Sequence, residues 1–218
     1  MRACGLLLLI ASPAAFALGE DPAEIVRQLE SRLIAAQHVL IESEIRAQGA
    51  FTAQLQGHTE IAPRNHLIQL YAGQFGGQPV ELKLLADTRA SDIGQGASRR
   101  HEATQAETNR SMIIGLLRMG LLHNLTRLAD SQGPDHASGG AERWVALDSF
   151  RPTTFAQDGE LDGTYSFGFD VVVDGEAAGS ARLWLDSTSG LPRRREQTTR
   201  LAQGEVTVVE DYRRFVVE

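Results

Sequence analysis

The stretch "DGELDG" sets Asp158, Glu160 and Asp162 at positions one, three and five with Gly163 at six, which is how a calcium loop opens. The imitation stops there. Position twelve is Phe169, where such a loop needs a bidentate glutamate, so the motif reads as a solvated turn between strands and no metal is expected. Six histidines are scattered without H-E-x-x-H spacing, and the one cysteine, Cys4, offers no partner for a zinc set. His123 reads as a ring satisfied by a neighbouring carbonyl, and Asp135-His136 as part of a turn. There is no G-x-S-x-G elbow, phosphate-cradling glycine loop or dinucleotide fingerprint. Glu42 and Glu44 fall on the polar side of one strand. Arg193, Arg194 and Arg195 would suit an anionic headgroup on a shared face, but alternation puts Arg193 and Arg195 on one side and Arg194 with Glu196 and Arg200 on the other. That pattern describes a solvated, ion-paired surface. No catalytic group is visible, no cofactor is expected, and the chain reads as a binding protein; an acid or base pair assembled from distant strands would escape sequence.

What the residues do offer is apolar surface. The segment "SMIIGLLRMGLLHNLTRL", 111 to 128, forms a helix whose densest arc is Ile114, Leu117, Leu121, Leu125 and Leu128, while Met112, Leu116, Met119 and Leu122 occupy the other sides. A helix apolar all round is buried, and one sheet face covers only one of its sides. The remainder needs helix one, a second chain or an apolar ligand. Periodicity does not separate a core helix from one lining a cleft. In the cleft reading Ile113, Leu116, Leu117, Met119, Leu121 and Leu125 bind the ligand, and a channel wide enough for a hydrocarbon tail passes residues 112 to 125. Gly115 and Gly120 mark a close approach or a hinge; Met112 and Met119 supply adaptable surface. The Asn124-Leu125-Thr126 sequon inside this helix is accidental.

The elements that hold this helix follow from the rest of the chain. Arg2, an apolar run and Ala15-Phe16-Ala17 spell a signal peptide over residues 1–17, leaving one domain over 18–218 in the periplasm or secreted. Removal leaves no cysteine, so an apolar core of about 200 residues supplies the stability. It also takes the formal charge from −7 to −8, and no basic stripe with aromatics suggests nucleic acid. No later stretch approaches the roughly 20 apolar residues of a membrane span. Asp21 is an N-cap, Pro22 opens a helix, Glu24 closes a capping box, and Ile25, Val26, Leu29 and Leu33 make its stripe. From Val39 the period becomes two: Val39, Ile41, Ser43, Ile45 and Ala47 share a face. Four strands reach residue 87, a polar stretch "TRASDIGQGASRRHE" interrupts them, and after the apolar helix and a second loop strands resume at "RWVALDSF" and "TYSFGFDVVV". Asp174-Gly175 is a hairpin signal, and three further strands complete about nine. The fold class is α+β: one curved antiparallel sheet, an N-terminal amphipathic helix and an apolar helix in the concave face.

This order, with "LQGHTEIAPRNHLIQL" (55 to 70) as a strand-turn-strand and "LWLDSTSGLPRRREQ" (183 to 197) as a late hairpin, resembles the LolA-like superfamily of periplasmic lipoprotein carriers and related lipid binders across most of the chain past residue 17. The resemblance implies an open half-barrel lidded by helices, and as partner a lipid or acylated protein. It implies an arginine beside the turn proline as lid latch, here Arg64, although the order Pro63-Arg64 departs from the family's. The alternative is a protein-interaction or sensor module of the cell envelope with another exported protein as partner.

Overall fold

The computed structural model describes residues 21–95, 98–129, 140–152, 161–173 and 175–218. Outside them lie the signal segment, Asp135-His136, Asp158 and Glu160 of the acidic motif, and Asp174. Asp21 accepts from the Ala23 N–H at 3.1 Å, so α1 (Pro22–Ala35) starts where capping chemistry sets it. The capping box is only half made: Glu24 turns outward to Arg27 and Gln28.

A meander follows: β1 (Val39–Gly49), β2 (Ala53–Ala62), β3 (His66–Phe75), β4 (Gln78–Ala86), β5 (Ala90–Gln95) and β6 (Ser98–Ala103). Next come α2 (Thr108–Arg118), α3 (Leu121–Ala129), α4 (Gly140–Trp144) and a 3-10 turn at Leu147–Ser149. A second meander closes the chain: β7 (Arg151–Pro152), β8 (Thr164–Val173), β9 (Glu176–Asp186), β10 (Pro192–Leu201) and β11 (Gly204–Val217). The two meanders join where β11 pairs antiparallel with β1, from Val39 opposite Val217 to Gly49 opposite Val206. One open, curved sheet results, in the order β6-β5-β4-β3-β2-β1-β11-β10-β9-β8-β7.

That order decides where the helices go. β6 and β7 follow one another along the chain yet form opposite edges of the sheet, so the segment between them has to travel from one edge to the other. Crossing the concave side lets it bury apolar surface on the way, and α2, α3 and α4 do so. The inward faces of the strands, including Ile41, Ile45, Leu55, Leu67, Phe167 and Leu183, form one core with the apolar side chains of α1, α2 and α3. Register shifts at Glu42/Ser43, Val171/Val172 and Pro192/Arg194 add local bends to the sheet.

Three sequence expectations need correction. The polar stretch after residue 87 is not an interruption but the hairpin β5–β6, so among the described residues the sheet has eleven strands and not about nine. Its inward positions are only Ser91 and Ile93, too few apolar residues to raise an alternating signal. "RWVALDSF" is not a strand: it ends α4 and forms the 3-10 turn, with Val145 and Phe150 as its buried anchors. A run this short carries no decisive period. The apolar helix is two helices, α2 and α3, broken at Met119-Gly120.

Candidate functional site

The lid over the concave face is built around that break. Gly120 has φ +92°, in the left-handed region that ends a helix, and a Cβ there would lie 2.7 Å from Glu210 Oε1 and 3.0 Å from Arg195 Nη1. No side chain fits. Gly115 has a different reason: its missing Cβ would fall 2.3 Å from Asn124 Oδ1. Asn124 presses α3 onto α2 there and donates through Nδ2 to the Met112 carbonyl at 3.0 Å. This sequon asparagine is buried and bonded within the lid.

Two charged side chains from the sheet floor hold the junction. Glu210 of β11, 1% exposed, accepts from the backbone N–H of Leu121 and of Leu122, both at 2.9 Å, and from the Tyr212 hydroxyl at 2.8 Å. A carboxylate thereby caps α3 from beneath, where the helix dipole favours negative charge. Arg195 of β10, also 1% exposed, donates through Nη2 to the Arg118 carbonyl at the end of α2, at 2.8 Å, and to Gln197 Oε1 at 2.5 Å. Its guanidinium carbon sits 5.4 Å from the centre of the Phe169 ring. Burial lowers the Arg195 pKa, opposed by the charge of Glu210, and burial first, then Glu210, drives the Tyr212 phenol well above its ordinary value. The expectation that Arg195 joins Arg193 on a solvated face is therefore corrected: the bulge at Pro192/Arg194 shifts the phase and turns Arg195 inward. Arg193 and Arg194 do face outward, paired with Asp186 and Asp211.

A third clamp ties the helices to one another. Arg118 Nε and Nη2 grip Glu30 of α1 at 2.6 and 3.0 Å, and Nη1 donates to the Val145 carbonyl beyond α4 at 3.0 Å. The opposite end of the lid is held differently. Asn109 Nδ2 reaches the Ala62 carbonyl at 2.5 Å, and Asn65 Nδ2 reaches the Gln105 carbonyl at 3.3 Å. Arg64 stands exposed in the β2–β3 turn with φ 64° and makes no hydrogen bond or ion pair with the described residues.

All six residues expected to bind the ligand are in this lid. Ile113, Leu116 and Leu117 are on α2, Met119 is at the break, and Leu121 and Leu125 are on α3; each is buried. They fill the concavity. The space beside Leu125, Ile93 and Leu84 is about 10 Å³, room for about one water molecule and not for a hydrocarbon tail. Among the described residues, the side chains expected to line the channel past residues 112 to 125 are themselves packed in the core. His123 lies half-buried, edge-on to Trp144 at 5.6 Å. Among the described residues no group of three His, Cys, Asp or Glu could hold a metal, and no helix is long and apolar enough to cross a membrane.

No protein-family model matches the chain, and no curated protein matches it by sequence. Solved structures match it by shape. A LolA superfamily protein from Nitrosomonas europaea is 9% identical, with 92% of this chain and 94% of that chain covered and a TM-score of 0.36. The Mycobacterium tuberculosis lipoprotein LppX is 10% identical over 90% of this chain and 97% of that one, with a TM-score of 0.44. LprF from Mycobacterium bovis is 12% identical over 87% and 91%, also with a TM-score of 0.44.

Proposed function

We propose that this chain is an exported binding protein for a hydrophobic molecule carrying an acyl chain, and that it takes its guest on the concave face by moving α2 and α3 aside. One observation carries the reading: two helices broken at Gly120 lie in the concavity between two sheet edges, α2 buried on every side from Met112 to Leu117 and α3 turning Leu121, Leu122 and Leu125 inward. Acyl surface leaving water contributes roughly 25 cal/mol per Å². Displacing the lid forfeits contacts of the same kind, so the exchange is nearly balanced and the guest must touch both floor and lid. Ile113, Leu116, Leu117, Met119, Leu121 and Leu125 would trade their present contacts for those of the guest.

The filled concavity favours a second reading, in which the lid is permanent core and the chain is an envelope interaction or sensor module. One experiment separates them. The gently purified protein is extracted with organic solvent, the extract is examined by mass spectrometry for stoichiometric lipid, and a fluorescent fatty acid is titrated into the delipidated protein. Bound lipid and saturable fatty-acid binding weakened by Leu117→Ala support the carrier. A clean extract together with no fatty-acid binding leaves the interaction module.

A further inference from the structure

Among the described residues, one buried aromatic side chain lies outside the core. Trp184 of β9 is 8% exposed, but its strand neighbours Leu183 and Leu185 point into the core, so alternation turns Trp184 to the outer face with Ser180 and Arg182. The Arg182 guanidinium covers the indole, 5.4 Å from the ring centre, a contact that holds the cation in place. Across that outer face the register sets one row: Arg151 of β7 opposite Gly168 of β8, Gly168 opposite Arg182, and Arg182 opposite Glu196 of β10. Gly168 has no side chain, so the row dips between its two arginines. The next row carries Asp170, Ser180 and Thr198. Together they wall a hollow of about 550 Å³, within the size range of ligand pockets. The charges around it are only half used. Arg151 Nη2 donates to Asp170 Oδ2 at 2.5 Å. Arg182 and Glu196 are cross-strand neighbours of opposite sign, yet neither makes a hydrogen bond or ion pair with the described residues. Elsewhere on the outer face such neighbours do close, Arg213 on Glu44 at 2.8 Å and Arg214 on Glu42 at 3.3 Å.

We propose that this hollow binds a neutral saccharide, at a site on the opposite side of the sheet from the lid. Its walls hold the guanidinium groups of Arg151 and Arg182 and the carboxylates of Asp170 and Glu196, so the formal charges cancel and an ion of either sign meets as much repulsion as attraction. A hydroxyl suits both, because it accepts from a guanidinium and donates to a carboxylate. Arg182 and Glu196, side by side and unspent, take neighbouring hydroxyls of a sugar ring, one on the fork and one on the carboxylate. The Arg151–Asp170 pair repeats that arrangement across Gly168, and exposed Ser180 adds a hydroxyl of its own. Bonds of this kind are charge-assisted, the strong class, and Trp184 keeps the Arg182 fork from folding away. The site stands apart from the carrier reading: failure of either leaves the other untouched.

The test starts from an array of neutral and acidic glycans probed with the labelled protein, followed by calorimetric titration of the best neutral oligosaccharide in free form. Saturable binding is expected, weakened about tenfold or more by Glu196→Gln and by Arg182→Lys, each of which keeps the size of its side chain and removes the carboxylate charge or the fork. Glu196 is exposed, so Glu196→Gln melts at the wild-type temperature and its loss of binding is not a loss of fold. Arg214→Lys, elsewhere on the outer face, binds as the wild type does. Competition by the free monosaccharide assigns recognition to a single ring, and competition by the oligosaccharide alone assigns it to a glycan chain; either supports the site. An array on which no neutral glycan binds, binding confined to acidic glycans, or binding that survives both Glu196→Gln and Arg182→Lys overturns it.

Discussion

Gly120 and Glu210 show how one backbone atom's worth of space decides the lid. A methyl at residue 120 would press on the carboxylate that caps α3 and on the guanidinium that caps α2, and its φ of +92° is one that L-residues resist. Gly120→Ala is therefore expected to cost at least about 2 kcal/mol, read from urea midpoints; an unchanged midpoint would mean the junction is loose. The phenols below the lid give a pH test. Burial pushes the Tyr71 hydroxyl up to about 12 despite bonds to Ser43 and Thr59. A folded value above the unfolded one means the folded state holds the proton more tightly. The stability this lends is intact below about pH 10 and is lost as pH climbs from there through about 12, on the order of 2 to 3 kcal/mol in all. Circular dichroism should show alkaline unfolding in that window, and Tyr71→Phe should move its midpoint upward. A midpoint that stays put would assign the transition elsewhere.

At the scale of elements, α1 and α2 are coupled through Glu30 and Arg118. Removing either partner alone, by Glu30→Ala or Arg118→Ala, leaves a buried charge and is expected to cost about 3 to 5 kcal/mol. The apolar pair Glu30→Leu/Arg118→Met should cost far less than the sum of the single changes, and denaturant unfolding of the four proteins measures the coupling. Strict additivity would show that the helices are held by their leucines alone. Part of this clamp was legible: Glu30 falls four residues after Val26 and three before Leu33, on the apolar stripe, and Arg118 interrupts an oily helix, so each charge demanded a partner. The strands of the first meander were legible for the same reason, since Val39, Ile41, Ile45 and Leu55 fix their own phase. "PRRREQTTRL" was not, because it holds no apolar alternation to set a phase. Only the pairing of Arg195 opposite Leu183 and Gln197 opposite Ala181 turns them inward. Glu210, in step with Val206 and Tyr212, could have been placed inside but not joined to α3, because that contact spans 89 residues of sequence.

The whole sheet must remain open for a lid to cross it, and an open sheet has edges that invite pairing with another copy. The β6 edge is charged: it reads Ser98-Arg99-Arg100-His101-Glu102-Ala103, with Arg99 and His101 exposed, and at the other edge Pro152 of β7 offers no N–H. The outer face between them carries ion pairs, among them Arg214 with Glu42, Arg213 with Glu44, Arg151 with Asp170, and Arg46 and Arg194 with Asp211. These pairs keep that face wet and contribute little to stability. Charge at β6 opposes edge-to-edge pairing, so Arg99→Val/His101→Val should add a concentration-dependent self-association that the wild type lacks. Light scattering over a dilution series measures it. A variant that stays monomeric at every concentration would show that twist and length, not charge, protect this edge.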